Sequence, residues 1–587
     1  FKGPASIKYG PSTIGGALNL ITRPIPEGSL VAFDLAGGEF MTGKVHGLAG
    51  FGGDNLGFVL EGVHLRTDGF KELDNGEDTG FERNDVNVKL KWTPETDKAQ
   101  TLTVKLGYAD EDSNETYLGL SQSDFDTNPV KRYPASQLDN FQSEHQQLHL
   151  NYALQATAST RINVKAYLNE FERAWNKFDG VMSGTAPQSI LAKPQLYTNQ
   201  YQVLSGQSDS VGSESDTIDV TNNDREFSSK GLQLLTNTSY SFANLDNELS
   251  LGIRLHKDEV DRDHRKAGYL MSSGNLVSNE IDYPSKVQNH AESQALSLYA
   301  ANRIYFDQVE LEVGVRYENI EGDLVNHLLS VTKSNDQSKV LPGISALWDV
   351  SESTALFAGI HKGYSPRSPG SSADQAEEST NYEYGIRYTE NDKRIEIVGF
   401  NSDYENLLGR CRVSDFGCNP GEEFSGGEVD ISGAELSGSL RWNLENQLDI
   451  SLSANYTYTK SEFQENFLST FSQFGLVREG DELPYLPEHI ARVEMLLTKD
   501  DWEVLAAVKH QSSMREEPGQ GGIGDGLFAE ELTIVDLSAS WYFSEEGTAQ
   551  VLLTNLTDEQ RTVSHRPFGA RPNRPFSAVL RVKYRLR

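Results

Sequence analysis

The chain has 587 residues and a formal net charge of −34; glycine (51), tyrosine (24) and phenylalanine (26) are plentiful, while methionine (5) and cysteine (2) are scarce. That balance, with lysines and arginines scattered along the chain, excludes a nucleic-acid partner, because phosphate recognition needs a basic patch. No run of about 18 apolar residues occurs, so no transmembrane helix is predicted, whereas a membrane strand needs only about 10 residues with every second one facing lipid.

The first stretch, YGPSTIGGALNLITR (9–23), sets Gly10, Pro11, Gly15 and Gly16 ahead of a short apolar run. Gly10 with Pro11 suits a tight turn, and Gly15–Gly16 permits close backbone approach. ALNLIT predicts a short strand, and Pro24 and Pro26 mark the approach to a long series of further strands.

From there the pattern has period two. In QLHLNYALQAT, Leu148, Leu150, Tyr152, Leu154 and Ala156 share one face, opposite His149, Asn151, Ala153 and Gln155. AELSGSLRWNL sets Ala434, Leu436, Gly438, Leu440, Trp442 and Leu444 against Glu435, Ser437, Ser439, Arg441 and Asn443. LDISLSANYTY, QVELEVGVRYENI, NELSLGIRLHKD and FSAVLRVKYRLR repeat the alternation. Tight turns are predicted at 52–55, 93–98, 244–247, 306–308, 389–393, 444–447, 498–501 and 544–547. Between them lie longer polar segments near 66–84, 111–143, 173–225, 259–291, 320–337, 364–378, 405–427, 461–485, 514–530 and 555–573.

Alternating segments and connections together give about 22 strands, the size of the large plugged barrels. The fold class is therefore all-β, an antiparallel transmembrane barrel with short turns at one end and long loops at the other. A propeller would repeat every ~40 residues with a blade signature, and none is found. Tyr456, Tyr458, Trp541, Phe543 and Tyr584 near strand ends fit an interfacial girdle. Glu310, Glu312, Arg316 and Glu318, like Arg581, Lys583 and Arg585, fit a wet interior wall.

The opening GPASIKYGPSTIGGALNLITRPIP resembles the last plug segment of TonB-dependent outer-membrane receptors, a match carried by Tyr9, Gly10, Gly15, Gly16, Asn19, Thr22 and Arg23. NLTDEQRTVSHRPFGARPNRPF (555–576) is similar to the family's approach to its final strand, although Leu586 stands where the family ends on an aromatic residue. Stretches 113–140, 252–271, 361–388 and 426–440 are similar to the ferric-dicitrate branch. The resemblance implies residues 1–26 as the end of a plug domain and 27–587 as the barrel, with most of the plug preceding this chain. It further implies a monomer in the outer membrane of a Gram-negative bacterium, surrounded by lipid and lipopolysaccharide. Such a receptor imports a ferric chelate and is energised by a TonB–ExbB–ExbD complex engaging the missing N-terminal segment. Iron enters only as part of the cargo; no cofactor and no resident metal are expected.

No enzymatic constellation stands out: HExxH, a P-loop, GxSxG and CxxC are all missing, so an outer-membrane phospholipase or protease is disfavoured. Asp110, Asp112 and Asn114 begin like a calcium loop but lack its central glycine and closing glutamate, and a solvated strand end is the plainer reading. Cys411 and Cys418, in a predicted outer loop, are expected to form a disulfide in an oxidising compartment. Basic residues in predicted outer loops are Arg132, Arg173, Lys177, Arg225, Arg262, Arg265, Lys362, Arg367, Arg410, Arg412, Arg515, Arg566 and Arg571. They would form a funnel for an anionic chelate, since guanidinium matches carboxylate with two parallel hydrogen bonds. Arg132, Arg173, Arg262, Arg265 and Arg367 lead as ligand contacts, with Tyr117, Tyr133, Trp175 and Tyr364 as aromatic neighbours. Taken singly, an exposed loop arginine more often makes a weak surface ion pair. Rival readings are the same fold carrying another siderophore, haem or zinc, and a passive pore or adhesion barrel.

Overall fold

The computed structural model describes residues 1–587 except 1, 2, 4–7, 9, 13, 372, 374, 412–422, 445, 446, 470, 472, 473, 524–526 and 587, and the side chains of 424 and 425. Its main sheet is a closed antiparallel barrel of 22 strands. The first nine are β1 (Gly28–Gly38), β2 (Thr42–Gly52), β3 (Leu56–Thr67), β4 (Phe81–Trp92), β5 (Gln100–Ser113), β6 (Asn140–Gln155), β7 (Thr160–Val181), β8 (Ile218–Phe242) and β9 (Leu245–Ser272). Closure comes from β1 pairing with the final strand Ser577–Leu586, from Val31↔Leu586 to Gly38↔Val579. A barrel leaves no strand edge unpaired, which is what a backbone in lipid requires.

The alternation read from the sequence sets the two faces. Val31, Phe33 and Leu35 on β1 are exposed outward, as are Leu580, Val582, Tyr584 and Leu586 on the final strand. The opposite face is charged and paired: Arg581 donates to Asp34 at 2.6 Å, and Arg303 to Glu312 at 2.7 Å. Five of the six tryptophans (Trp92, Trp348, Trp442, Trp502 and Trp541) are exposed on the outer face beside short turns. Trp502 and Trp541 are register partners whose rings stack at 6.0 Å. This belt matches the amphipathic level of a membrane interface.

Several strands pass glycines under aromatic rings. Tyr167↔Gly231, Phe357↔Gly385, Tyr384↔Gly399 and Phe400↔Gly433 are direct cross-strand partners, and a Cβ at any of these glycines would strike the facing ring. Each ring occupies the place its partner leaves open, a cross-strand pairing that favours this register.

Three expectations need correction. ALNLIT forms no strand: Ala17–Thr22 is irregular, and Leu18 is 89% exposed. Among the described residues no strand lies alongside it, and a strand without a partner leaves its amide groups unpaired. The segment runs inside the barrel. Ser12 N–H donates to the Tyr364 carbonyl at 2.7 Å, Lys8 pairs with Glu312 at 3.3 Å, and Lys89 Nζ donates to the carbonyls of Thr22 and Arg23 at 2.9 and 2.7 Å. Second, the connection between β1 and β2 (39–41) is a tight turn although it lies at the long-loop end. Third, much of what reads as loop is strand. β7, β8 and β9 have 22, 25 and 28 residues, more than twice the ~10 that cross a bilayer. Their outer apolar band ends near Leu232 on β8 and Leu255 on β9. Beyond it the hairpins meet water on the outside, so the alternation vanishes while the backbone ladder continues.

The long-loop end has its own core. Leu118, Phe125, Tyr133, Phe178, Ile190, Leu204, Ile218 and Phe568 pack together. They tie α1 (Gln122–Thr127), α2 (Pro187–Ala192) and α3 (Thr198–Leu204) to the ends of β7 and β8 and to the last loop. The two helical loops are thereby fixed beside the barrel mouth.

Candidate anion site in the barrel mouth

Three neighbouring strands place arginines in one row. Arg173 on β7 is the register partner of Arg225 on β8, which in turn faces Arg262 on β9. The row lies beyond the apolar band and on the opposite parity to the outward Ile253 and Leu255, hence on the lumen side. Arg410, on the short strand Leu408–Arg410, adds its charge to the cluster.

The electrostatics are unfavourable to the protein alone. Burial first, then the charges of Arg173, Arg262 and Arg410, push Arg225 down to about 9. Burial, Arg410 and Arg173, opposed by Asp261, bring Arg262 to about 10. Among the described residues none of Arg173, Arg225 and Arg262 makes an ion pair. Their partners are neutral: Arg225 Nε donates to Asn223 Oδ1 at 2.9 Å and to His264 Nε2 at 3.2 Å, and Arg262 Nη1 to Asn289 Oδ1 at 2.9 Å. Arg173 Nη1 is buried without a hydrogen-bond partner. His264 is fully buried and held down to about 3 by burial and by Arg225, Arg262 and Arg173, so it stays neutral and accepts from Arg225. Like charges opposed across strands destabilise a sheet, and an anion between them would relieve that repulsion.

Aromatic groups form one wall. Tyr117 meets Trp175 edge-on at 4.6 Å, the Lys177 ammonium lies 4.5 Å from the Tyr117 ring centre, and the Arg173 guanidinium lies 6.0 Å from the Trp175 ring. Several guanidinium groups that make no ion pair among the described residues, beside an aromatic wall, can hold a multivalent carboxylate through parallel hydrogen bonds.

Of the leading residues singled out from the sequence, the structure gathers Arg173, Arg262, Tyr117 and Trp175. Arg132 is 2% exposed and commits its donors locally, to Ser136 Oγ, the Ser136 carbonyl and the Asn114 carbonyl. Arg367 ties its loop by donating to the carbonyls of Ala373 (2.8 Å) and Asp336 (3.0 Å). Tyr364 is buried with its hydroxyl on Gln337 (2.8 Å). Arg265 is on the outer face, paired with Asp263 at 2.6 Å. Asp110 and Asp112 accept hydrogen bonds from Asn84 and from Asn140 and Gln142. Cys411 is buried and disulfide-bonded. Cys418, its expected partner, lies outside the described residues, as do Tyr9 and Arg412. Of the plug-motif residues, Gly10, Gly15, Gly16, Asn19 and Thr22 lie in the irregular segment inside the barrel. Arg225, Arg410 and His264 are the members of the site that sequence reasoning did not rank; strand register brings Arg225 and His264 to the row, while Arg410 reaches it from a short strand of a separate two-stranded sheet.

A closed barrel of 22 strands, girdled by tryptophan and carrying a row of arginines inside one mouth, has the architecture of a large membrane barrel. The chain belongs to the TonB-dependent receptor family: the family model "TonB dependent receptor-like, beta-barrel" matches residues 124–556. An uncharacterized TonB-dependent receptor of Haemophilus influenzae is 25% identical over 214 residues, 35% of this chain. The alignment spans 57% of that relative's length. Among solved structures, the ferric citrate transporter FecA in its unliganded form superposes with a TM-score of 0.79 at 16% identity, covering 100% of this chain and 83% of that one. The siderophore receptor PiuA of Acinetobacter baumannii gives 0.77 at 15% identity, with 100% and 85% covered. The copper transporter OprC gives 0.71 at 14%, with 100% and 85% covered. At these identities the likeness concerns the fold.

Proposed function

We propose that this chain is the barrel of an outer-membrane receptor and transporter that captures a ferric chelate carrying several carboxylates, ferric dicitrate or a close analogue. The observation that supports this reading is the row Arg173–Arg225–Arg262, with Arg410 nearby and no ion pair to any of the three among the described residues. A chelate of citrate is a compact polyanion, and each guanidinium offers it a fork of donors. Neutral His264 keeps Arg225 oriented without cancelling its charge. Trp175 and Tyr117 supply a flat flank. Capture takes place from the cell exterior, in the outer membrane of a Gram-negative bacterium, and the TonB–ExbB–ExbD complex drives import through the plug. Iron travels as cargo, within the chelate.

Titration calorimetry of the detergent-solubilised chain tests the substrate class. Saturable binding of ferric dicitrate at micromolar concentration is expected, with at least tenfold weaker binding of an uncharged ferric hydroxamate. Absence of ferric dicitrate binding at that concentration, or equal binding of the hydroxamate, overturns the assignment.

A further inference from the structure

A second cavity, of about 580 Å³, lies at the long-loop end among the ends of β2 to β5, the loop 68–80 and the last loop. Its size falls in the range of small-molecule sites. Phe40, Phe70 and Phe81 give it an aromatic lining, Phe40 and Phe70 meeting edge-on at 6.3 Å. The cations around it are Arg66, Lys71, Arg132, Arg571 and Arg574, of which Arg66 pairs with Asp68 at 3.3 Å.

These cations are not equivalent. Arg132 is committed to Ser136 and Asn114. Arg571 donates to Glu115 Oε1 at 2.9 Å and to the Thr116 carbonyl at 3.0 Å. Lys71 Nζ makes no hydrogen bond or ion pair among the described residues, and the Arg574 guanidinium is held only over the Phe40 ring, 5.8 Å from its centre. Burial and the charges of Arg571 and Arg132 bring the Lys71 ammonium down to about 8, against a weaker opposite pull from Glu115. The lining therefore offers two uncommitted cations above aromatic surface. The carboxylate of Glu115, held at the rim by Arg571, would repel a second negative group.

We propose that this cavity is a second ligand site, selective for a small aromatic monocarboxylate that rests on Phe40, Phe70 and Phe81 and places its carboxylate between Lys71 and Arg574. It is separate from the arginine row and prefers a different chemistry, one charge on a ring in place of a polyanion. The segment Glu115–Tyr117 is the wall between them: Glu115 and Thr116 line this cavity, while Tyr117 packs on Trp175 beside Arg173.

The probe is benzoate, titrated calorimetrically into the full chain in detergent, with acetate (charge without ring) and benzyl alcohol (ring without charge) as comparisons. Benzoate is expected to bind saturably and at least tenfold more tightly than either comparison. Lys71→Met is expected to weaken benzoate at least tenfold while leaving ferric dicitrate binding unchanged; Arg574→Gln is the second variant should Lys71→Met fail to fold, judged by heat-modifiable migration on a gel. The proposal is overturned if benzoate does not bind saturably, if acetate or benzyl alcohol binds equally well, or if the folded variants bind benzoate like the parent.

Discussion

Arg225 on β8 stands directly opposite Arg262 on β9, two guanidinium groups in register inside the barrel with Arg173 completing the row. An opposed like-charge pair destabilises a sheet, taken as comparable in size to the ~0.2–1 kcal/mol that an opposite-charge pair contributes. A hydrogen bond from a charged donor to a bound carboxylate contributes about 1.5–3 kcal/mol. Arg225→Gln should therefore stabilise the unliganded barrel by about 0.2–1 kcal/mol and weaken ferric dicitrate at least tenfold. Thermal unfolding and calorimetric titration of the same preparation measure the two effects, whose opposite signs separate a binding role from a structural one.

His264 predicts a pH dependence. Its folded-state value near 3 lies below the ordinary histidine value of 6.5. As the pH falls through that ordinary value, the unfolded chain takes up a proton that the folded site refuses. Stability is then lost progressively down to the folded value, at up to about 1.4 kcal/mol per pH unit. His264→Asn should flatten this part of the profile, measured as urea midpoints at pH 7, 5 and 4. An unchanged slope would show that other groups dominate it.

Gly433 faces Phe400 across the sheet, and a Cβ there would strike both that ring and the Tyr458 carbonyl oxygen. Gly433→Ala should cost about 1–3 kcal/mol by overpacking. Gly62→Ala, whose Cβ would meet nothing within 4 Å, should be close to neutral. The temperatures at which the variants lose their compact migration on a gel rank them.

Cys411 follows Arg410 directly and is buried in a disulfide. Reduction should loosen the segment carrying Arg410 and weaken ferric dicitrate by about three- to tenfold, equivalent to about 0.7–1.4 kcal/mol. The barrel's thermal transition should stay within a few degrees, because its closure rests on backbone ladders. Titration with and without reductant makes the comparison.

The barrel was legible in the sequence because lipid imposes a period. Leu148 and Leu150, or Leu436 and Trp442, must alternate with polar partners wherever one face meets hydrocarbon and the other water. The same cause explains the failures. Beyond Leu255 on β9 no hydrocarbon remains, the residues up to Ser272 lose their alternation, and a strand reads as a loop. ALNLIT has the composition of a strand, but pairing, which composition does not encode, decides whether it becomes one.

The site divides in the same way. The sequence by itself determined an antiparallel barrel of this size, its two faces and a supply of cations in the long-loop half, because each follows from local period and composition. Which of those cations act together only the tertiary structure decided. Arg132 and Arg367 serve as loop staples, Arg265 turns outward, and Arg225, unremarkable in its own stretch, becomes the centre of the row. Residues 173, 225 and 262 meet because three adjacent strands align them in register, and register is fixed by turn geometry and cross-strand packing summed over whole strands.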